Sequence, residues 1–419
     1  MAKKKTKKKK KHSYDDRKEL HGVVNKNNYD YISTVRDNTV KILGNTWSEN
    51  VKYNKKFWRK HAPLKSCTGL CKNKAIIGVG AGQSFNKNKD VLKEFLNRDG
   101  VKPWGDRDFV TIAANHQYKP LLEMGIIPDF VLLVDASDVV LEQLTKDIPK
   151  EGRHTTLITG LHADPKVVET WTKQGRAILF FVSPAPNIME AFKKHIRKNP
   201  YHHRLELGGN VINGAWMIGI NIFHSTVFMC VGNDLSFPVE NSKDTQRGSY
   251  YADGDYSTNA KVTGTGRDEA SSMKRWAGFK LERRLIALPD EPITGLKRYN
   301  VELDIVGTSG TLWVYKNWLE TTILGQSQHH TRFHYFNCTE GGILGVMAKE
   351  DDDLSLKKSD NWFMLDEVCI NKQTGEPMYH TAMLEDAMKF LVDTKEKMRW
   401  QETGIIPVVP SATNLVTAH

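Results

Sequence analysis

Acidic side chains lie just after apolar runs at two places in this 419-residue chain, and a third lies in a glycine-rich turn. Asp135 directly follows the run 130–134, Asp234 follows the run 227–231 after two residues, and Glu340 belongs to the turn. A carboxylate in such a position can accept a proton from a hydroxyl, hold a metal ion or cap the next helix. We therefore take all three as candidate catalytic residues, and Asp135 and Asp234 also as candidate metal ligands.

The first glycine turn has the spacing G-x-G-x-G-x-S and separates the apolar run 75–79 from a helical pattern at 86–96. Glycine lacks a Cβ, so the backbone can approach a ligand closely, and the first amides of the following helix attract an anion. Ser84 can cap that helix or donate to a phosphate oxygen. The spacing is neither a Walker A loop nor a full G-x-G-x-x-G, and a tight turn without a ligand is equally compatible with it.

Two further glycine turns follow the same pattern, at 207–214 before a helix and at 337–342 after a strand. Two helix N-termini that face one crevice would bind two phosphates, or a phosphate and a carboxylate. The candidate nucleotide-binding residues are the glycines and small polar residues at these strand ends: Gly78, Gly80, Gly82, Ser84, Asn115, Gly208, Gly209, Asn210, Asn213, Gly232, Thr339, Gly341 and Gly342.

Strands and helices alternate around these residues. Unbroken apolar runs predict buried parallel strands at 75–79, 109–113, 130–134, 155–159, 177–182, 227–231 and 333–336. Helical patterns are predicted at 86–96, 137–144, 165–172, 188–196, 216–223 and 313–323. This alternation indicates an α/β protein with a Rossmann-like, mostly parallel sheet and helices on both faces. Ligands of such sheets bind outside the carboxyl ends of the strands.

The net charge of +11 arises largely from a tail, because eight lysines lie within residues 3–5 and 7–11. The rest of the chain is close to charge-balanced. We expect the tail to be disordered and to make at most a weak contact with a polyanion, with a solvated arm as the alternative. The apolar stretch 215–231 is interrupted by polar residues, so it predicts a helix and a strand rather than a membrane span.

Five scattered cysteines and the absence of a signal-peptide pattern favour a cytoplasmic protein. Cys67 and Cys71 lack a second cysteine pair for zinc, and His329, His330 and His334 are interpreted as ordinary polar histidines.

We predict four segments, listed here: a Lys-rich tail at 1–12, a helical or irregular cap at 13–73, a nucleotide-binding domain at 74–345, and a C-terminal extension at 346–419 that ends in a helix.

Five segments together resemble the MptE-like domain: GAGQS (80–84), GIIPDFVLLVD (125–135), LGGNV (207–211), VGNDLSF (231–237) and NCTEGG (337–342). This domain is found in a 6-hydroxymethyl-7,8-dihydropterin pyrophosphokinase and at the centre of the motility accessory factors, which are flagellin glycosyltransferases. The resemblance covers roughly residues 74–345. It departs from the family pattern at Gln83 and Phe85, where the family has Pro and Leu, and at Asn210, where it has Ser.

The resemblance implies a Rossmann-like transferase that holds a nucleotide-activated donor at the first glycine turn, with Asp135 and Asp234 in the crevice. A glycosyltransferase would use a nucleotide sugar and a protein hydroxyl as acceptor, and this is the leading hypothesis. The pyrophosphokinase alternative would use ATP, Mg²⁺ and a pterin alcohol. The substituted motif positions leave a third alternative open, a non-catalytic nucleotide-binding module.

Overall fold

The computed structural model describes residues 26–72, 74–134, 136, 139–238, 277–287, 299–307, 310–327, 333–348, 362–372, 375 and 377–398. Within these ranges the predicted α/β class is confirmed, because helices cover both faces of a nine-stranded sheet whose neighbouring strands are all parallel. The predicted Lys-rich tail lies outside the described residues.

The strands are β1 (Ala62–Pro63), β2 (Ala75–Val79), β3 (Phe109–Ala114), β4 (Phe130–Leu133), β5 (Thr156–Gly160), β6 (Ile178–Phe181), β7 (Val227–Val231), β8 (Phe237–Pro238), β9 (Ala277–Ala287), β10 (Tyr299–Gly307), β11 (His334–Asn337), β12 (Val346–Ala348), β13 (Trp362–Met364) and β14 (Tyr379–Thr381). The helices are α1 (Lys26–Trp58), α2 (Phe85–Gly100), α3 (Asn115–Glu123), α4 (Val139–Thr145), α5 (Pro165–Lys173), α6 (Pro186–Ile196), α7 (Val211–Asn221), α8 (Gly310–Ser327), α9 (Leu365–Val368) and α10 (Leu384–Met398).

The strand order of the large sheet is β1-β6-β5-β4-β3-β2-β7-β11-β14. Successive strands from β2 to β6 extend the sheet in one direction, and β7 then returns to the other side of β2. The strand order therefore reverses between β2 and β7, and the loops that leave these two strands separate at that point. Such a switch point creates the crevice in which open α/β sheets bind their ligands.

Alternate residues of the central strands pack on opposite faces of the sheet, which explains their unbroken apolar sequences. Ile76 of β2 belongs to a buried cluster with Trp216 of α7 and Leu319 of α8. Its neighbour Ile77 belongs to a different cluster, which contains Leu92 of α2 and residues of α10. The C-terminal helix buries Leu384, Ala387, Met388 and Leu391 there, as its sequence pattern predicts.

The predicted helix before the first strand is confirmed as α1, which buries Val51, Phe57 and Trp58 against α5, α6 and the sheet. The short strand β1 pairs with β6, and β14 pairs with β11 at the opposite edge. Residues on both sides of the predicted nucleotide-binding domain thus contribute strands to its sheet. The domain boundaries themselves remain a prediction.

Several elements differ from the sequence prediction. Helix α7 begins at Val211 rather than near residue 216, because the Asn210 side chain accepts from Ile212 N and caps it five residues earlier. The antiparallel strands β8, β10 and β9 form a separate small sheet, and β12 pairs with β13; neither sheet was predicted. All five cysteines are free thiols. Among the described residues, no helix is both long and apolar enough to cross a membrane.

Candidate functional site

The first glycine turn packs directly against the loop that follows β7. Gly80 N donates to Val231 O at 2.7 Å, and Gly82 N donates to Gly232 O at 2.8 Å. A Cβ on Gly80 would collide with Gly232 O, and one on Gly78 would lie 2.5 Å from the Phe228 ring. The glycines of this turn are therefore required by the close approach of backbone to backbone and to a ring. None of the three has a positive φ.

Asp234, in the loop after β7, contacts Ser84 at the start of α2 on the other side of the crevice. Its Oδ2 accepts from Ser84 N at 2.8 Å, its Oδ1 accepts from the Ser84 hydroxyl, and the residue is only 6% exposed. The carboxylate thus provides the negative charge that the N-terminus of α2 attracts. A Cβ on Gly82 would lie 2.7 Å from Asp234 Oδ1, so Gly82→Val would displace this cap whether or not a ligand binds there.

The third turn closes over the same aspartate. Ile343 N donates to Asp234 O at 3.0 Å, and Gly342, with φ of +76°, leaves no room for a Cβ beside that carbonyl. Glu340 Oε1 accepts from Leu384 N and from Asn88 Nδ2, both at 3.2 Å, so its carboxylate joins the start of α10 to α2.

The small residues beside Glu340 are packed differently. The hydroxyl oxygen of Thr339 is buried 3.5 Å from Cys230 Sγ. A Cβ on Gly341 would make only an ordinary contact of 3.5 Å with Ser84 Cβ. Gly341 therefore tolerates a side chain, whereas Gly342 does not.

The second glycine turn lies beneath two aromatic side chains of α8. Gly208 and Gly209 have φ of +64° and +79°, and a Cβ on either would collide with the ring of Trp318 or Tyr315, respectively. Asn213 donates from Nδ2 to Gly208 O at 3.2 Å and to Tyr315 O at 3.0 Å, which fixes the turn against α8. Both features restrict these two positions to glycine.

The N-terminus of α7 meets the loop after β7 through two asparagines. Asn210 caps the helix and donates from Nδ2 to Asn233 Oδ1 at 3.2 Å. Asn233 is 3% exposed, and within the described residues its Nδ2 has no hydrogen-bond partner. A buried N–H donor without an acceptor is costly, so this amide indicates a position that an acceptor oxygen can fill.

The remaining predicted residues stand apart or lie outside the described part of the chain. Asn115 begins α3, and its Nδ2 donates to Gln143 Oε1 at 2.6 Å. Asp135 is not among the described residues, so its predicted role in the crevice stays a prediction.

The structure thus brings together the loops after β2, β7 and β11 and the start of α7. Sequence reasoning missed Asn233, Tyr315 and Trp318. Asn233 follows a strand end and could have been noticed, whereas the two aromatic residues carry no local signal.

Among the described residues, no group of three or more His, Cys, Asp or Glu side chains surrounds one point. Both carboxylate oxygens of Asp234 accept from Ser84. His334 is buried beside His380, and the predicted histidines 329 and 330 are outside the described ranges. The Mg²⁺ implied by the pyrophosphokinase alternative remains a prediction.

Comparison with known proteins relates part of the chain to one family. A family model described as 6-hydroxymethylpterin diphosphokinase MptE-like matches residues 45–240. No curated protein matches the chain. Among solved structures, the MAf glycosyltransferase from Magnetospirillum magneticum AMB-1 is similar at 16% identity with a TM-score of 0.44, over 72% of this chain and 37% of that chain. The chain thus spans little more than a third of that protein's length. Residues 45–240, which include the first two glycine turns and Asp234, match the MptE-like family model, and this match covers just under half of the chain.

Proposed function

We propose that this protein is a transferase that binds a nucleotide-activated donor, a nucleotide sugar, at the switch point between β2 and β7. The family match supports a transferase, and the strand order supports the position of the site. In the proposed reaction a bond forms between an acceptor hydroxyl oxygen and the sugar carbon. The bond from that carbon to the donor phosphate breaks, and the hydroxyl proton passes to a base.

The observation that carries this proposal is the buried amide of Asn233 beside the N-terminus of α7. The N-terminus of α2 already has a carboxylate, that of Asp234, as its anion. Within the described residues, the side chain that caps the N-terminus of α7 is the neutral amide of Asn210. A donor phosphate therefore fits better at the second glycine turn than at the first. Helix amides and Asn233 Nδ2 would stabilise the negative charge that develops on the leaving nucleotide.

Tyr315 and Trp318 would bind the less charged part of the donor. Both residues are only partly buried, and their rings lie on Gly209 and Gly208 beside the proposed phosphate position. Flat aromatic surfaces stack on nucleobases and sugar rings, and such stacking adds affinity without a charge. Both residues lie beyond the matched region, on a helix that the rest of the chain adds to the domain.

Asp135 is the first candidate for the base. Asp234 and Glu340 each accept from a backbone amide at a helix start, so both carboxylates already have a structural role. In the sequence, Asp135 comes two residues after Leu133, the last residue of β4. A carboxylate there would accept the proton of the acceptor hydroxyl.

A second candidate function, diphosphate transfer from ATP to a pterin alcohol, is favoured by the description of the matched family. It uses the same phosphate position but breaks a bond between phosphorus and oxygen, and it releases adenosine monophosphate. A nucleotide-binding module without catalysis is the third alternative, because Asn210 replaces the family's serine.

Product identity distinguishes these functions. Nucleotides and nucleotide sugars are first screened by thermal shift, with and without Mg²⁺, and the donors that bind are then incubated with hydroxyl acceptors. A glycosylated product with a released nucleotide supports the leading proposal, and adenosine monophosphate with a pterin diphosphate supports the second. If a nucleotide binds but neither product forms over a broad screen, the result would support a non-catalytic nucleotide-binding module and contradict the proposal that the protein is an enzyme.

Asn233→Asp tests the position of the phosphate. The new carboxylate keeps its acceptor for Asn210 Nδ2 and lies near a helix N-terminus, so the melting temperature should stay unchanged or rise. It replaces an N–H donor by a negative charge, so donor binding measured by calorimetry should weaken at least about tenfold. Asn97→Asp, an exposed change of the same kind on α2, is the matched control. Equal affinity of both variants would exclude Asn233 from the site.

A further inference from the structure

The exposed side of α1 carries a stripe of positive charge near its C-terminal end. Three exposed cations lie on the helix, and two more follow in the turn after its end at Trp58: Lys52, Lys55, Lys56, Arg59 and Lys60. The opposite side of the helix is buried in the apolar core. The spacing i, i+3 and i+4 places the three cations of the helix on one face, where they are directed to solvent.

A second stripe lies on α6 and the turn after it. Lys193, Lys194, Arg197 and Lys198 are all exposed, whereas Ile188 and Phe192 of the same helix are buried. Positive side chains near the C-terminus of a helix complement its dipole, but the effect is confined to the last turn. The first stripe begins at Lys52, before the last turn of α1, and continues beyond the helix to Lys60, so dipole complementation does not account for all of its cations.

The two stripes adjoin each other. Asn187 Nδ2 donates to Gly44 O at 2.6 Å, and the rings of Trp58 and Phe192 lie 5.2 Å apart, so α1 and α6 are in direct contact. His195 lies between the stripes, and its pKa is lowered by burial and then by the positive charges of Lys194, Lys52 and Lys55. Together these residues form one surface, which we call the basic face: Lys52, Lys55, Lys56, Arg59, Lys60, Lys193, Lys194, Arg197 and Lys198.

Acidic residues offset only part of this charge. Glu49 forms an exposed ion pair with Lys52 at 3.1 Å. Glu169 accepts from Tyr53 and pairs with Lys173, and it also interacts electrostatically with Lys56 of the basic face. Glu190 is an exposed acid on α6 itself. Most of the cations on the basic face therefore remain available to an external anion.

We infer that the basic face binds the phosphate backbone of a nucleic acid. A duplex presents closely spaced phosphates along its axis, which match rows of cations on two adjacent helices. Tyr201 follows α6, is 61% exposed and lies under Lys193, so an aromatic ring is also available at the edge. This surface is distinct from the proposed donor site and does not depend on it.

A membrane surface fits these residues less well. Helices that lie on membranes place large apolar side chains beside their cations and insert them between the lipids. The large apolar side chains in this part of α1 are buried instead, Val51, Phe57 and Trp58 among them. The basic face therefore offers charge and aromatic rings to a partner, but no aliphatic anchor.

The test uses the full chain and a fluorescein-labelled DNA duplex of about two helical turns, with anisotropy measured over a range of salt concentrations. The triple variant Lys55→Glu, Lys194→Glu and Lys198→Glu reverses charges of the basic face. A matched control reverses exposed charges elsewhere with Lys93→Glu, Lys146→Glu and Lys150→Glu. The first variant should weaken binding by about tenfold or more and reduce the slope of log K against log salt by roughly 3. The control should differ little from the wild type.

Three results would overturn the inference. They are an equal loss of affinity in both variants, a loss that follows only deletion of residues 1–12, and tighter binding to phosphatidylserine vesicles than to DNA. Donor binding is measured on the same variants by calorimetry. It should be unchanged, which separates this inference from the proposed function.

Discussion

At the scale of single residues, Asp234 shows how one carboxylate can serve structure and chemistry at the same position. Its two oxygens accept from the backbone and side chain of Ser84, although 150 residues separate the two in sequence. These bonds connect the loops on both sides of the switch point. If Asp234 takes part in catalysis, its carboxylate must do so while both oxygens are hydrogen-bonded to Ser84.

Asp234→Asn separates the two roles. An asparagine can accept from Ser84 N and donate to its hydroxyl, so the free energy of unfolding in urea should fall by only about 1 kcal/mol, from the lost charge at the helix terminus. If Asp234 is only a cap, turnover should change little. Ser84→Ala is the control, since it removes the hydroxyl that donates to Asp234 and keeps the bond from Ser84 N. Turnover that falls by orders of magnitude in Asp234→Asn, but not in Ser84→Ala, would assign Asp234 to the chemistry.

At the scale of elements, α8 is fixed by an ion pair that is hidden from solvent. Lys316 Nζ donates to Glu320 Oε2, both side chains are almost fully buried, and Glu320 Oε1 accepts from Gly345 N at 2.7 Å. Burial lowers the pKa of Lys316 and raises the pKa of Glu320, and in each case the charge of the partner opposes the shift. The ion pair lies within α8, and the bond from Gly345 N to Glu320 holds this helix, and with it Tyr315 and Trp318, beside the segment that follows the third turn.

A double-mutant cycle tests this pair. Lys316→Met leaves a buried carboxylate without its cation, so the free energy of unfolding should fall by roughly 3–5 kcal/mol. The double variant Lys316→Met/Glu320→Gln keeps an acceptor for Gly345 N and should recover a large part of that loss. Chemical denaturation of the wild type and of the single and double variants provides the measurement. Additive losses would show that the two side chains are not coupled.

The strands β11 and β14 share a buried histidine pair. His334 Nδ1 lies 2.9 Å from His380 Nε2, and His380 stacks on Phe336 with ring centroids 4.6 Å apart. Burial lowers the pKa of His334 from 6.5 to about 4, and burial together with His334 lowers the pKa of His380 well below 6.5. Both rings are therefore neutral in the folded protein at neutral pH.

These shifts predict a loss of stability in acid. Between pH 6.5 and about 4 the unfolded chain binds protons on both histidines while the folded chain does not. The free energy of unfolding should therefore fall in this window by up to about 1.4 kcal/mol per pH unit for each histidine, and these groups should cause no change above it. Urea unfolding at several pH values measures the slope. His334→Leu/His380→Phe should flatten it, whereas the exposed change His224→Gln should not; an unchanged slope in the double variant would contradict the assignment.

At the scale of the whole molecule, the charge is distributed between a tail and one face of the fold. The sequence predicts that the Lys-rich tail is independent of the core, because it contains no large apolar run. Deletion of residues 1–12 should leave the melting temperature and donor binding unchanged and should weaken only salt-sensitive binding to polyanions. Differential scanning fluorimetry and calorimetry measure both quantities. A large fall in melting temperature would show that the tail is structural.

The sequence by itself determined seven of the nine strands of the large sheet, all except the edge strands β1 and β14, and the positions of its polar turns. The apolar run of β2 is buried at all five positions. Asn210 caps α7 because its side-chain oxygen accepts from the backbone amide of Ile212, two residues later. Both outcomes depend on local preferences that a reader of the sequence can recognise. The same local patterns predicted the glycine turns, because each occurs where a strand ends or a helix begins.

Only the tertiary structure decided what each turn contacts. Asp234 lies against Ser84, Trp318 covers Gly208, and the amide of Asn233 faces the start of α7 across a reversal in strand order. These pairs are separated by many residues, so no local preference brings them together. They meet because a parallel sheet places the carboxyl ends of its strands at one edge, and close packing there leaves each side chain a single set of neighbours.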